Sequence, residues 1–221
     1  LMAPYAIAHL KVGLKLYETG YRFGSNERAR IYLTNTLEPA SDSKKQMEFA
    51  EWLPALAHEA QAVNEVKRKQ RFTVVVGNPP YLREKARGPS ERAERIGGWV
   101  RFGDTAAETP PLFDDFIKPL ADTNQGVHAK LAYELSVMFW RLVLWTAFER
   151  RSNFGIVGMI SPRAYIAGPG HAGMRKWLRA HATEFWVADL GGDNRGARKS
   201  ENIFEIETGV AIGLCVNSPQ A

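Results

Sequence analysis

The sequence FTVVVGNPPY, residues 72–81, contains the strand-to-loop transition on which the fold assignment depends. Its first half is a continuous run of apolar and β-branched residues, the pattern of a central parallel strand that is covered on both faces. The tetrapeptide GNPP then ends the strand abruptly, because proline donates no ladder hydrogen bond. Similar apolar runs at residues 154–160 and 185–190 predict two further strands.

Periodic segments before and between these strands predict helices. Ala3, Ile7, Leu10 and Leu14 fall on one helical face, and Gly20 is a natural helix end. Further helices are predicted at residues 44–70, with a break or a new start at Pro54, at 130–150 and at 173–181, and short strands at 29–33, 204–206 and 209–216. The predicted fold class is therefore α/β, with a mostly parallel sheet and an antiparallel edge strand. Residues 82–128 have no clear period and predict a long loop or insertion.

The composition excludes several classes of protein. The 221 residues are 45% hydrophobic and 24% charged, which suits a packed domain and excludes a disordered or fibrous chain. Cys215 is the one cysteine, so a disulfide framework is excluded and a reducing, cytoplasmic setting is expected. The five histidines have no ligand spacing, so no metal is predicted. No apolar run reaches the ~18 residues that span a bilayer, and the net charge of +5 is compatible with a polyanionic partner.

The loop after residues 72–76 carries the clearest chemical signal. Residues that precede proline are restricted to extended conformations, so the loop stands rigidly off the strand end with its carbonyls free. The Asn78 side-chain oxygen and the Pro79 carbonyl then form a pair of acceptors that suits a group with two N–H donors, such as an exocyclic amine. Tyr81 offers an aromatic face on which a planar base can stack. The alternative is a strand terminator with a tyrosine anchor.

The order of motifs along the chain resembles a known enzyme family. FTVVVGNPPY is similar to the fourth motif of amino-methyltransferases. The segments MAPYAIAHLKVGL, RIYLTNTLEP, KLAYELSVMFWRLVLW, FGIVGMISPRAYI and VADLGG…NIFEIETGVAI resemble, in that order, successive motifs of gamma-type N6-adenine DNA methyltransferases. In particular they resemble the methyltransferase region of large single-chain restriction-modification enzymes of bacteria and archaea. The resemblance implies a Rossmann-like fold that binds S-adenosylmethionine, with its Gly-rich turn expected before Leu1, so that residues 1–221 form a partial catalytic domain.

The resemblance also implies roles for individual residues. Asn78, Pro79, Pro80 and Tyr81 would form the catalytic loop around the N6 amine of a flipped adenine. Phe204 would be a second aromatic wall against that base, although a core phenylalanine on a strand is an equal alternative.

The resemblance further places a methyl-donor contact and DNA contacts. Asn35 and Thr36 would lie at the adenine of S-adenosylmethionine, where the family usually has an acidic residue. Double-stranded DNA is the implied partner, and nuclease, translocase and target-recognition regions on the same parent chain are compatible with the resemblance. Basic side chains in the loops after Tyr81 and Leu190 are candidates for phosphate contacts, although such runs are usually solvated faces. They are Arg83, Lys85, Arg87, Arg195, Arg198 and Lys199.

Two alternative functions stay open at this point. The loop would read an amide nitrogen equally well, so the chain could methylate a protein glutamine or an RNA base. A non-catalytic DNA-binding or assembly fragment is the second alternative, because no Gly-rich turn of the expected kind follows Leu1. For the same reason we expect residues 1–221 alone to be inactive.

Overall fold

The computed structural model describes residues 2–24, 27–40, 54–81, 97–104, 108–123, 126–150, 154–192, 202, 204 and 206–218. The chain divides into two compact units, Leu1–Gln70 and Arg71–Ala221. The first contains helices α1 (Met2–Glu18) and α2 (Pro54–Lys69). The second contains a sheet of strands β1 (Val74–Gly77), β2 (Gly155–Pro162), β3 (Glu184–Asp189) and β4 (Val210–Asn217).

The described strands form one sheet in the order β1-β2-β4-β3. β1 pairs with β2 in parallel, and β4 runs antiparallel to both of its neighbours, β2 and β3. β1, β2 and β3 therefore point in the same direction, and their carboxyl ends meet at one edge of the sheet, where open α/β sheets place ligands. We call this the carboxyl edge.

The sequence predicted that the antiparallel strand lies at the edge of the sheet, but it does not. β4 is inserted between β2 and β3, and β3 takes the edge. The burial of the strands explains this order: Val210, Ala211 and Cys215 of β4 are buried, whereas Trp186 of β3 is 59% exposed. The more continuously apolar strand gains most from the interior position, where it has neighbours on both sides.

β1 is less covered than the sequence predicted. Among the described strands it pairs with β2 alone, and Val74 and Val76 are 54% and 78% exposed. The opposite face is covered, because Met159 of β2 lies against Gly77 and Trp140 of helix α6 lies against Gly213 of β4. The described helices of this unit thus leave one face of β1 open.

Two short strands predicted from the sequence are absent from the described residues. Residues 29–33 are irregular: the Ile31 N–H donates to the Ala29 carbonyl, and the Leu33 N–H faces a Glu59 carboxylate oxygen at 3.4 Å. These N–H groups are satisfied locally or by a side chain, so no ladder forms. Phe204 lies in a turn and Ile206 in an irregular segment, so the predicted strand at 204–206 is not present either.

The helices of the second unit build its core. They are α3 (Gly98–Phe102), α4 (Asp114–Asp122), α5 (Ala129–Ala132), α6 (Leu135–Leu144), which continues as a π-helical turn at Trp145–Glu149, and α7 (Ala172–His181). The helix predicted at 130–150 is therefore interrupted at Tyr133, although α6 is buried as expected. α3 and α4 lie inside the predicted long loop, whose residues 82–96 fall outside the described part of the chain. Phe116 and Leu120 of α4 are buried, an i, i+4 pair that marks a helical face.

The helices predicted at 1–20, from Pro54 and at 173–181 are present, and α1 is followed by Gly20 at a φ of 87°. The face of α1 with Ile7, Leu10 and Leu14 is exposed. None of the described helices is long and apolar enough to span a membrane.

Candidate active site

The predicted catalytic loop leaves the sheet at the carboxyl edge. β1 ends at Gly77, which pairs with Met159 of β2 and whose missing side chain makes room for the Met159 sulfur. Asn78 is exposed directly beyond the strand, Pro79 is buried and Pro80 is exposed. The two prolines donate no backbone hydrogen bonds and extend the chain away from the ladder. The loop therefore projects its polar groups from the strand end.

Tyr81 turns back toward the strand ends and fixes the Asn78 side chain. Its hydroxyl donates to Asn78 Oδ1 at 2.7 Å, and the Ile160 carbonyl oxygen of β2 lies 3.4 Å from the same hydroxyl. Burial raises the pKa of Tyr81, so the hydroxyl keeps its proton for this hydrogen bond. A carbonyl oxygen has two lone pairs, so Asn78 Oδ1 keeps one for a second donor. Asn78 and Tyr81 thus act as one oriented pair.

An ion pair that the sequence reasoning missed ties the same edge together. Arg163 follows β2 and its guanidinium contacts Asp189, the last residue of β3, at 2.7 Å. The stem of Arg163 lies against Gly209, which precedes β4, and the Arg163 N–H donates to the Gly209 carbonyl. Gly209 has no side chain and so lets the arginine cross over the start of β4. A basic residue shortly after the strand predicted at 154–160, in the sequence ISPR, was the available signal.

The connection between β3 and β4 is organised by Asn202, which the sequence reasoning also missed. Its Nδ2 donates to the carbonyls of Gly192 and Thr208, both at 2.9 Å. Its Oδ1 accepts the backbone N–H of Phe204 at 2.9 Å. Phe204 is 39% exposed, so the alternative of a core phenylalanine on a strand is wrong.

The predicted methyl-donor contacts lie in the first unit. Asn35 forms a turn, in which its Oδ1 accepts the Leu37 N–H at 3.2 Å and its Nδ2 donates to Glu38 at 3.0 Å. Thr36 is exposed in this turn. Lys67 of α2 holds the turn from outside, because its ammonium donates to the carbonyls of Asn35 and Glu38, both at 2.8 Å. Burial lowers the pKa of Lys67. The Asn35 amide keeps one N–H and one oxygen lone pair for a ligand.

The remaining predicted site residues cannot be placed in the structure. The candidate phosphate contacts Arg83, Lys85, Arg87, Arg195, Arg198 and Lys199 lie outside the described residues. Within the described part of the chain, no group of three or more His, Cys, Asp or Glu side chains is arranged to hold a metal ion.

A cavity of about 420 Å³ opens between α7 and β3 and is separate from the catalytic loop. Tyr165, Leu178, Phe185 and Val187 are among its apolar lining residues, and Arg175 and Arg179 also line it. Arg175 is engaged in the fold, because its guanidinium donates to the carbonyls of Tyr165 and Gly168. Neither Asn78 nor Tyr81 lines this cavity.

Solved structures similar to this chain include DNA complexes of restriction-modification enzymes. A nuclease-deletion mutant of the Type ISP restriction-modification enzyme LlaGI, in complex with a DNA substrate mimic, is 20% identical, with a TM-score of 0.65 over 98% of this chain and 18% of that chain. The DrdV–DNA complex is 21% identical, with a TM-score of 0.64 over 99% of this chain and 19% of that chain. The ATP-dependent Type ISP restriction-modification enzyme LlaBIII bound to DNA is 21% identical, with a TM-score of 0.59 over 90% of this chain and 12% of that chain.

The chain spans less than a fifth of the length of these three proteins. A comparison with curated protein sequences found no match. The family model of the Eco57I restriction-modification methylase matches residues 4–193, which is most of the chain. The chain therefore belongs to the Eco57I restriction-modification methylase family and is similar to the methylase region of large restriction-modification enzymes.

Proposed function

We propose that this chain is part of the catalytic domain of a site-specific DNA methyltransferase that methylates N6 of adenine, within a larger restriction-modification enzyme. The observation that carries the proposal is the Asn78–Tyr81 pair at the carboxyl edge, where the tyrosine hydroxyl fixes the asparagine oxygen at 2.7 Å. Family membership supports the reaction class. The sheet, in which β4 lies antiparallel between β2 and β3, supports a Rossmann-like methyltransferase fold.

The loop can activate an aromatic amine by orientation. Such an amine is a poor nucleophile because its lone pair is delocalised into the ring. The free lone pair of Asn78 Oδ1 and the Pro79 carbonyl would accept the two amine protons and hold the nitrogen in a pyramidal arrangement. This restores lone-pair character on the nitrogen and aims it, which is catalysis by positioning and fixed dipoles. Tyr81 contributes its ring as a stacking surface and its hydroxyl as the support of Asn78.

The methyl donor proposed is S-adenosylmethionine. When bound, it supplies the sulfonium methyl group that the amine takes up, and the amine releases one proton to solvent. The turn at Asn35 would contact the adenine of this donor; this is supported by its side-chain amide, which keeps one donor and one acceptor after making the turn. Thr36 is exposed beside it. Lys67 keeps the turn in place through two backbone carbonyls.

Double-stranded DNA is the proposed partner. An adenine inside a duplex must be flipped out to reach the loop, at a cost of a few kcal/mol that stacking in the pocket offsets. The exposed ring of Phe204 would supply a second stacking surface. β4 runs antiparallel to β2 and β3 and therefore starts at the carboxyl edge, so the loop that carries Phe204 enters the sheet there. The start of β4 lies two strand spacings from β1, roughly 10 Å. The basic residues after Tyr81 and Leu190 would contact phosphates.

A methylation assay tests the proposal. A protein that contains this chain together with a complete methyl-donor site is incubated with unmethylated plasmid DNA and labelled S-adenosylmethionine, and the nucleosides are identified by mass spectrometry. We expect N6-methyladenine as the product, and a loss of at least about 100-fold in rate for Asn78→Ala, the scale of removing one preorganised group from an active site. Asn217→Ala is the matched control, because Asn217 ends β4 at the opposite edge of the sheet.

Three outcomes would contradict the proposal. Unchanged methylation by the Asn78→Ala variant would show that Asn78 takes no part in catalysis. Methylation of protein or RNA, but not of DNA, would favour the alternative substrates that an amide-reading loop accepts. Binding of DNA with neither binding of S-adenosylmethionine nor methylation of any of these substrates would favour a non-catalytic fragment.

A further inference from the structure

We infer that Asn202 is a positioning residue for Phe204, an inference that rests on the proposed function. Asn202 binds three backbone groups of the connection between β3 and β4 through one side chain. It reaches Gly192 just after β3, Thr208 just before β4, and Phe204 between them. The loop that carries the exposed aromatic ring is therefore tied to both strands that flank it.

The Asn202 amide is matched to this role. An asparagine side chain has two N–H donors and one oxygen acceptor, and both N–H groups are used on the Gly192 and Thr208 carbonyls at 2.9 Å. The oxygen accepts the Phe204 N–H, also at 2.9 Å. Aspartate could keep only the last of these bonds, because a carboxylate oxygen would face two carbonyl oxygens. Serine and alanine are too short to make all three hydrogen bonds.

Gly192 provides the space that this arrangement requires. Its φ is 81°, a backbone conformation that residues with a side chain rarely adopt, and a Cβ there would lie 2.6 Å from the Asn202 side chain. The backbone of Gly192 and the Asn202 amide therefore approach more closely than any other residue at position 192 would allow. The close approach ties the amide to a fixed point at the end of β3.

The backbone of Phe204 is held by Asn202, whereas its ring is not buried. Phe113 and Phe116 of the core are 2% and 1% exposed, whereas Phe204 is 39% exposed. No aromatic pair among the described residues includes Phe204. A backbone fixed by a neighbouring side chain and a ring left open to solvent suit contact with a planar ligand rather than core packing. The ligand class is the flipped base of the proposed reaction.

A double-mutant cycle tests whether Asn202 acts through Phe204. Wild type, Asn202→Ala, Phe204→Ala and the double variant are compared for kcat and for the KM of DNA and of S-adenosylmethionine, with Asn217→Ala as a control. We expect each single variant to lower kcat about tenfold. We expect Asn202→Ala to change kcat less than twofold in the Phe204→Ala background, because its effect has already been lost. The KM of S-adenosylmethionine should stay within twofold of wild type.

A second variant and a second readout protect the test against misfolding. If Asn202→Ala does not fold, the cycle is run with Asn202→Ser, which stays polar but is too short to make all three hydrogen bonds. Deuterium exchange of the Phe204 amide should be faster in Asn202→Ala than in wild type, without DNA or methyl donor. Losses that multiply in the double variant, or a wild-type kcat in Asn202→Ala, would overturn the positioning role alone. A wild type that methylates no adenine would overturn the proposed function, and this inference with it.

Discussion

Tyr81 has two roles in the proposed site, and two substitutions separate them. Tyr81→Phe removes the hydroxyl that donates to Asn78 Oδ1 at 2.7 Å and leaves the ring in place. Tyr81→Ala removes both the hydroxyl and the ring. The two variants should therefore differ by the contribution of stacking on the flipped base.

The expected losses follow from the contacts. Asn78 is exposed, so water can replace the lost hydroxyl, and the hydrogen bond is worth about 1 kcal/mol. The second contact of the hydroxyl, at 3.4 Å from the Ile160 carbonyl, adds little. Tyr81→Phe should thus slow methyl transfer about fivefold. Stacking contributes about 2 kcal/mol per base, so Tyr81→Ala should lose about 3 kcal/mol in all, roughly 150-fold in rate.

Single-turnover methyl transfer at saturating DNA and S-adenosylmethionine measures these losses directly. Tyr17→Phe is the matched control, because Tyr17 is an exposed tyrosine on α1 and should keep the wild-type rate. Thermal melting of each variant checks that the fold is intact. Equal rates for Tyr81→Phe and Tyr81→Ala would refute the stacking role of the ring. A wild-type rate for Tyr81→Ala would refute the assignment of Tyr81 to the site.

Three further predictions concern the second unit. Arg141 is 1% exposed, and its guanidinium contacts Asp115 and Glu149 and donates to the Leu112 carbonyl. Arg141→Met should lower the free energy of unfolding by about 3 kcal/mol, the low end of the cost of breaking a buried ion pair, because both carboxylates can regain water. An unchanged urea midpoint would contradict this. Burial raises the pKa of Cys215 from 9.0 to about 12. The folded thiol should therefore resist thiol reagents at pH 8 until denaturant is added. Prompt labelling without denaturant would contradict its burial. Because the raised pKa favours the folded state only while the thiol is protonated, its contribution to stability should be lost as pH rises from about 9 toward 12 in urea titrations.

The strands and helices that the sequence predicted well are those in which apolar residues follow a strand or helix pattern over a long stretch of sequence. β2, β3 and β4 are continuous apolar runs, and α7 and the start of α2 at Pro54 follow helix signals. The strands predicted at 29–33 and 204–206 were wrong, because a few apolar residues can match a strand pattern where no partner strand among the described residues pairs with them. α4 was missed because its buried pair, Phe116 and Leu120, lies among polar residues.

The position of part of the candidate site could also be predicted from neighbouring residues in the sequence. The position of Asn78, Pro79 and Tyr81 directly after a strand was predictable, because the prolines stop the strand there. The hydrogen bond between Tyr81 and Asn78 was not predicted, although the two residues are only three apart. The roles of Asn202 and Arg163 could not be read in advance, because each depends on partners brought near by the sheet.

The sequence by itself determined that this protein has apolar strands, an abrupt Asn-Pro-Pro-Tyr loop after one of them, and a single cysteine. Only the tertiary structure decided that β4 lies between β2 and β3, that β3 takes the edge, and that Asn202 ties Phe204 to both flanking strands. The difference has a physical reason. Proline restrictions and side-chain periodicity act on neighbouring residues, whereas strand order is set by which surfaces bury most apolar area, a choice between segments that are distant in sequence.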